Sequence, residues 1–102
     1  MPLLKNAVIG NDSFQEVLQI SGYPWGSLNV VASNTNENAS KIEIRISSSL
    51  EHGLVNTVEP GALIPAGGRF EMSCRLVQQD ERIFVKAPAG VVIRAEANLA
   101  LE

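Results

Sequence analysis

The sequence is short of the residues from which catalytic and metal sites are built. It has one cysteine, Cys74, and one histidine, His52, in 102 residues. A lone cysteine excludes an internal disulfide and a cysteine-rich zinc site, and one histidine with one cysteine falls short of a transition-metal ligand set. Asp12 and Asp80 are the sole aspartates, so no Asp-x-Asp-x-Asp calcium loop exists. The glutamates are dispersed. Gly67-Gly68 stands before Arg69 without either glycine-rich phosphate signature, and reads as a tight turn. Cations are few and scattered: 8 Lys and Arg against 11 acidic residues, a net charge of −3. A surface that neutralises phosphates needs clustered cations, so no direct nucleic-acid or anionic-membrane partner is expected. No apolar run approaches the ~20 residues of a membrane span. The opening Met1–Gly10 lacks the basic segment and long apolar stretch of a secretory signal.

These shortages predict a chain that is not an enzyme and takes no cofactor or metal. His52 lies in a connection, Leu50-Glu51-His52-Gly53, near Ser47, Ser48 and Ser49. A catalytic histidine needs an orienting partner and a nucleophile held in reach. Neither is evident, so a solvated loop histidine is expected. Cys74 shares an alternating face with Phe70 and Met72, which predicts a buried thiol.

What the sequence does have is period-two alternation. In Lys41-Ile42-Glu43-Ile44-Arg45-Ile46-Ser47 the isoleucines point one way and the polar residues the other, the pattern of a half-buried strand. Further strands are expected at Phe14–Ile20, Ser27–Ser33, Arg69–Leu76, Glu81–Lys86 and Val91–Ala97, with a shorter extended piece near Leu54–Val58. In the first, Phe14, Leu18 and Ile20 share the inward face and Glu16 intrudes. In Arg69–Leu76 the inward set is Phe70, Met72, Cys74 and Leu76. Turn-forming clusters separate these segments about every 8–12 residues.

The expected architecture is one small antiparallel β-sandwich, jelly-roll-like, of about seven strands with extended terminal arms. Residues 1–13 read as an N-terminal arm, 14–97 as the sandwich and 98–102 as a C-terminal tail.

Two features rise above this background. Gly22-Tyr23-Pro24-Trp25-Gly26 places the single tyrosine and the single tryptophan in one loop. There they either cap the sandwich or anchor a partner or sugar ring. The last hairpin, Leu76–Lys86 and Val91–Glu96, carries Phe84 on the face opposite Ile83 and Val85, so both sides of that strand should be covered in an assembled state. Leucines also mark both ends of the chain. The candidate interface is therefore Leu3, Leu4, Tyr23, Trp25, Arg82, Phe84, Leu99 and Leu101.

The segments Leu28–Asn34, Ile42–Ile46, Leu63-Ile64-Pro65-Ala66-Gly67-Gly68 and Asp80–Ala97 occur in an order that resembles the small β-sandwich virion proteins of tailed bacteriophages. The closing Asp-Glu-Arg-Ile-Phe-Val-Lys-Ala and Gly-Val-Val-Ile-Arg-Ala-Glu-Ala carry most of the likeness, which spans roughly residues 27–97. The resemblance implies a non-enzymatic structural subunit of the virion, assembled in the host cytoplasm. Its expected partners are itself, as a trimer or other symmetric oligomer, and the major capsid protein or another virion protein. A capsid decoration or cement role is expected first. A neck, tail or baseplate adaptor is the alternative, and a carbohydrate-binding module using Tyr23 and Trp25 is the alternative from a different class.

Overall fold

A computed structural model describes residues 2–100. Eight strands form: β1 (Leu3–Ile9), β2 (Phe14–Gln19), β3 (Trp25–Asn34), β4 (Ser40–Ser47), β5 (Thr57–Ile64), β6 (Arg69–Gln78), β7 (Arg82–Lys86) and β8 (Val91–Leu99). One 3-10 turn, Leu54–Asn56, precedes β5. The strands lie in two four-stranded antiparallel sheets, ordered β1-β8-β3-β6 and β2-β7-β4-β5. First pairs with last, second with seventh, third with sixth and fourth with fifth. The chain is thus one long hairpin wound on itself, sealed by the β3–β8 and β4–β7 pairings. That winding is the double Greek key of a jelly roll, and the sandwich expected from the alternation is present.

The core follows the alternation. Ile42, Ile44 and Ile46 of β4 and Ile83 and Val85 of β7 are buried in one cluster with Leu28, Val30 and Ala32 of β3 and Ile93, Ala95 and Ala97 of β8. One sheet supplies bulky branched residues and the other several alanines, which lets two twisted inner faces interdigitate. Each large residue buried this way contributes about 1.5–3 kcal/mol of transfer free energy.

Both terminal expectations need correction. Residues 3–9 are an edge strand in register with β8, from Leu3 opposite Asn98 to Ile9 opposite Val92. They had no readable alternation because Asn6 interrupts the partly buried Leu4 and Val8. The Asn6 amide instead donates to the Val17 carbonyl at 2.9 Å, tying β1 to β2 across the sandwich edge. Leu99, assigned to a tail, ends β8 and is 0% exposed. Leu101 lies outside the described residues.

Two β-bulges redirect side chains that strict alternation had placed inward. In β6 the register slips opposite Asn29, and Cys74 takes a left-handed φ of 58°. The Cys74 N–H is caught by the Asn29 side-chain oxygen at 2.9 Å. Phe70 and Met72 stay against the core, but Cys74 and Leu76 are exposed and Val77 is buried in their place. In β2 a slip between Glu16 and Leu18 buries Val17 and leaves Phe14 on the outer face, opposite Lys86.

The strands alternate direction, so the connections collect at two ends. One end gathers β1–β2, β3–β4, β5–β6 and β7–β8 and is organised around Asn34. The other gathers β2–β3, β4–β5 and β6–β7 and begins at Trp25.

Candidate functional site

The residues singled out by sequence do not form one surface. At the Trp25 end, Tyr23 packs partly buried against the core, so the two aromatics of that loop separate. Trp25 stands 41% exposed, because Gly26 takes the inward position and turns the indole outward. It pairs with Gln78 at the end of β6, and the next outward pair is Ser27 with Leu76. Pro24, Trp25, Leu76, Gln78 and Gln79 line an open cleft of about 550 Å³. Its walls are fixed by backbone hydrogen bonds: Gln79 N–H to the Pro24 carbonyl at 3.0 Å and Ala100 N–H to the Trp25 carbonyl at 3.0 Å. Leu3 shares the outer face of this sheet but sits at its opposite edge, across Asn98 and Ser27 from Leu76. Leu4 turns inward, partly buried against the core.

On the outer face of the other sheet, the chain itself covers the part around Phe84. Phe84 is only 5% exposed, which removes it from the candidate interface. The β4–β5 connection folds back so that His52 stacks on Phe84 at 4.2 Å between ring centroids. His52 also meets the Phe14 ring edge-on at 5.0 Å. The Arg45 guanidinium lies over Phe14 at 4.3 Å, and its Nη1 donates to His52 Nδ1 at 3.2 Å. The expected solvated histidine is therefore half-buried between aromatic rings, serving as a roof for Phe84. Arg82 is engaged by Glu16 at 2.8 Å on the same face. The apolar side of β7 needed a cover, and its own chain provides one.

This geometry is unlike a catalytic triad. The Nδ1 atom of His52 faces a cation where an orienting carboxylate would be required. The Ser47 and Ser49 hydroxyls donate to the Glu51 carbonyl at 2.8 and 2.9 Å, and neither is paired with the imidazole. Among the described residues, no group of three or more His, Cys, Asp and Glu is placed to hold a metal ion.

Folding the connection inward at His52 turns other residues of it outward. Leu50, Leu54 and Val55 are 69%, 82% and 96% exposed. The sequence places Leu54 and Val55 in a short extended piece and none of the three at an interface, whereas Leu54–Asn56 is a 3-10 turn and the strand begins at Thr57. The available signal was two adjacent large apolar residues, Leu54-Val55, in a polar connection between Gly53 and Asn56. Leu76 was missed because the bulge at Cys74 is invisible to alternation, and Gln78 and Gln79 because they read as turn residues.

No protein-family model matches the chain, and no curated protein matches it in sequence. Among solved structures, it is similar to RmlC from Streptococcus suis, determined in complex with dTDP-D-xylose, with 10% identity and a TM-score of 0.41. The match covers 98% of this chain and 45% of that one, so the chain spans less than half of its length.

Proposed function

We propose that this chain is a non-enzymatic structural subunit of a tailed-phage virion, binding neighbouring subunits as a capsid decoration protein. The observation that carries the reading is the exposed Leu50, Leu54 and Val55 on one connection at the Trp25 end. Large apolar side chains held in water gain free energy when a partner covers them, and clusters of them mark interaction surfaces. A half-buried His52, held by two aromatic rings and Arg45, fixes the base of that connection. The surface is thereby presented with part of its ordering entropy already lost. Strands β1, β2, β5 and β6 form the open sheet edges, which a symmetric oligomer would cover. Many modest contacts of this kind sum to strong attachment on a repeating lattice.

The test is addition of purified chain to particles of the phage that encodes it, made without this protein. Co-sedimentation with heads supports decoration. Binding to tails alone places the chain as an adaptor instead. A strictly monomeric chain that binds neither overturns the proposal.

A further inference from the structure

We propose that the cleft between the start of β3 and the end of β6 binds neutral saccharides. The site is independent of the virion reading and uses different residues from the Leu50–Val55 surface.

The cleft is built from two kinds of group. Trp25, Leu76 and Pro24 give apolar area, with Trp25 41% exposed. Gln78 and Gln79 give two exposed carboxamides, each with an acceptor oxygen and two N–H donors. Among the described residues, no ionisable side chain lines it. An anionic ligand would meet no counter-charge from them, which favours a neutral ligand over a phosphorylated, nucleotide or acidic-peptide one. A purely apolar segment would cover the carboxamides without satisfying them, and unpaired amides are costly to bury. A pyranose meets both demands. Its C–H face stacks on an indole, while its vicinal hydroxyls pair with carboxamides that both donate and accept.

Size and rigidity agree with this class. The cleft, about 550 Å³ and open to solvent, lets a saccharide lie along it with one face against the protein. The two walls are joined by the Gln79-to-Pro24 backbone bond, beside the β3–β6 register that sets Trp25 opposite Gln78, so binding needs no loop ordering. Other hollows lack this combination. The hollow at Asp12, Lys41, Glu43 and Lys86 mixes opposite charges that neutralise one another. The hollow at Ser47, Ser49 and Glu51 has its hydroxyls already committed to a carbonyl.

Trp25 is the chain's single tryptophan, so its emission reports directly on the cleft. The intact chain is titrated with neutral gluco-, manno-, galacto- and N-acetylated di- to tetrasaccharides, and in parallel with a proline-rich peptide. A saturable emission change is expected with at least one saccharide, with a dissociation constant on the order of 1 mM. Gln78→Ala and Gln79→Ala should each weaken it about 3- to 10-fold, the loss of one hydrogen-bonding group. Trp25→Ala, followed by calorimetry, should abolish it. Flat titrations with every saccharide overturn the proposal. So does saturation by the peptide alone, or saccharide binding that both glutamine variants leave unchanged.

Discussion

At the Asn34 end of the sandwich, buried polar groups lock the connections together; at the Trp25 end, apolar groups stand in water. Asn34 is 2% exposed and its amide donates to the carbonyls of Asn38 and Ile64, both at 2.9 Å, and of Pro65 at 3.2 Å. Its oxygen accepts from Asn36 N–H and the Ser40 hydroxyl. Asn36 and Thr35 carry the network onward to the Ala89 and Gly90 carbonyls. One side chain thus ties the β3–β4 connection to β5–β6, and its neighbours tie it to β7–β8. Among the described residues, the Trp25 end has no single buried amide joining several connections: backbone bonds link β2–β3 to β6–β7, and buried Ser47 bonds only within its own connection. The longest connection there is held by a histidine stacked on a phenylalanine, with Leu54 and Val55 left outside. A closed polar network fixes geometry and commits its own groups, and at this end Leu63 and Ile9 are the large apolar residues left exposed. An exposed apolar connection stabilises its own fold little and offers area for binding. If the exposed connection is the binding surface proposed above, the two ends divide the work of folding and recognition.

Asn34→Ala should break this contrast most severely. It strands buried carbonyls and a hydroxyl without partners, and the expected loss is about 3 kcal/mol, read by urea denaturation. Asn34→Asp sharpens the point. It keeps an acceptor for Asn36 and Ser40 but turns oxygen toward three carbonyls, so it should destabilise at least as much as alanine. A loss under about 0.5 kcal/mol for both variants would mean that the network is incidental.

Gly90→Ala comes next. Gly90 has φ 91°, and a Cβ there would overlap the Asn36 side-chain amide. Backbone strain and the displaced amide together should cost about 2 kcal/mol. Thermal unfolding should show the loss, while the Trp25 emission of the folded state stays unchanged.

His52→Ala tests the opposite end. It removes the cover from Phe84 and the acceptor for Arg45, at a cost of about 1–2 kcal/mol. Hydrogen exchange should rise across residues 48–56 and remain slow at residues 34–40. Equal acceleration at both ends would show that the connections are not separately held.

How much of this was legible follows from where a single strand suffices to settle the matter. Ile42–Ile46 reads as a strand because its period is written in consecutive residues, and the sandwich follows from several such segments. The inward set of β6 did not read correctly. A bulge depends on the partner strand, here on Asn29 reaching the backbone of Cys74 from 45 residues away. The edge strand β1 was hidden for a related reason. Asn6 fails as a core residue and works as a cross-sheet link, a role that needs Val17 beside it. The candidate site was half legible. Trp25 was flagged as an aromatic in a loop, but its separation from Tyr23 depends on which way Gly26 lets the strand turn. Phe84 was read as needing a cover, and the cover proved to be His52, far away in sequence.

The smallest effect on stability should come from Leu54→Ser with Val55→Ser. Both side chains are almost wholly in water in the isolated chain, so they contribute little burial energy to lose. Substitution there should change unfolding by under about 0.5 kcal/mol. If the connection exists for a partner, the same double variant should lower binding to particles at least tenfold, since truncating two central apolar anchors costs about 1.4 kcal/mol or more. The combination separates recognition from folding, because a variant with unchanged stability and lost attachment has failed only at the interface. Full attachment would move the binding surface elsewhere, and the exposed apolar residues left to carry it at this end, among those described, would be Leu50, Trp25, Leu76 and Leu3.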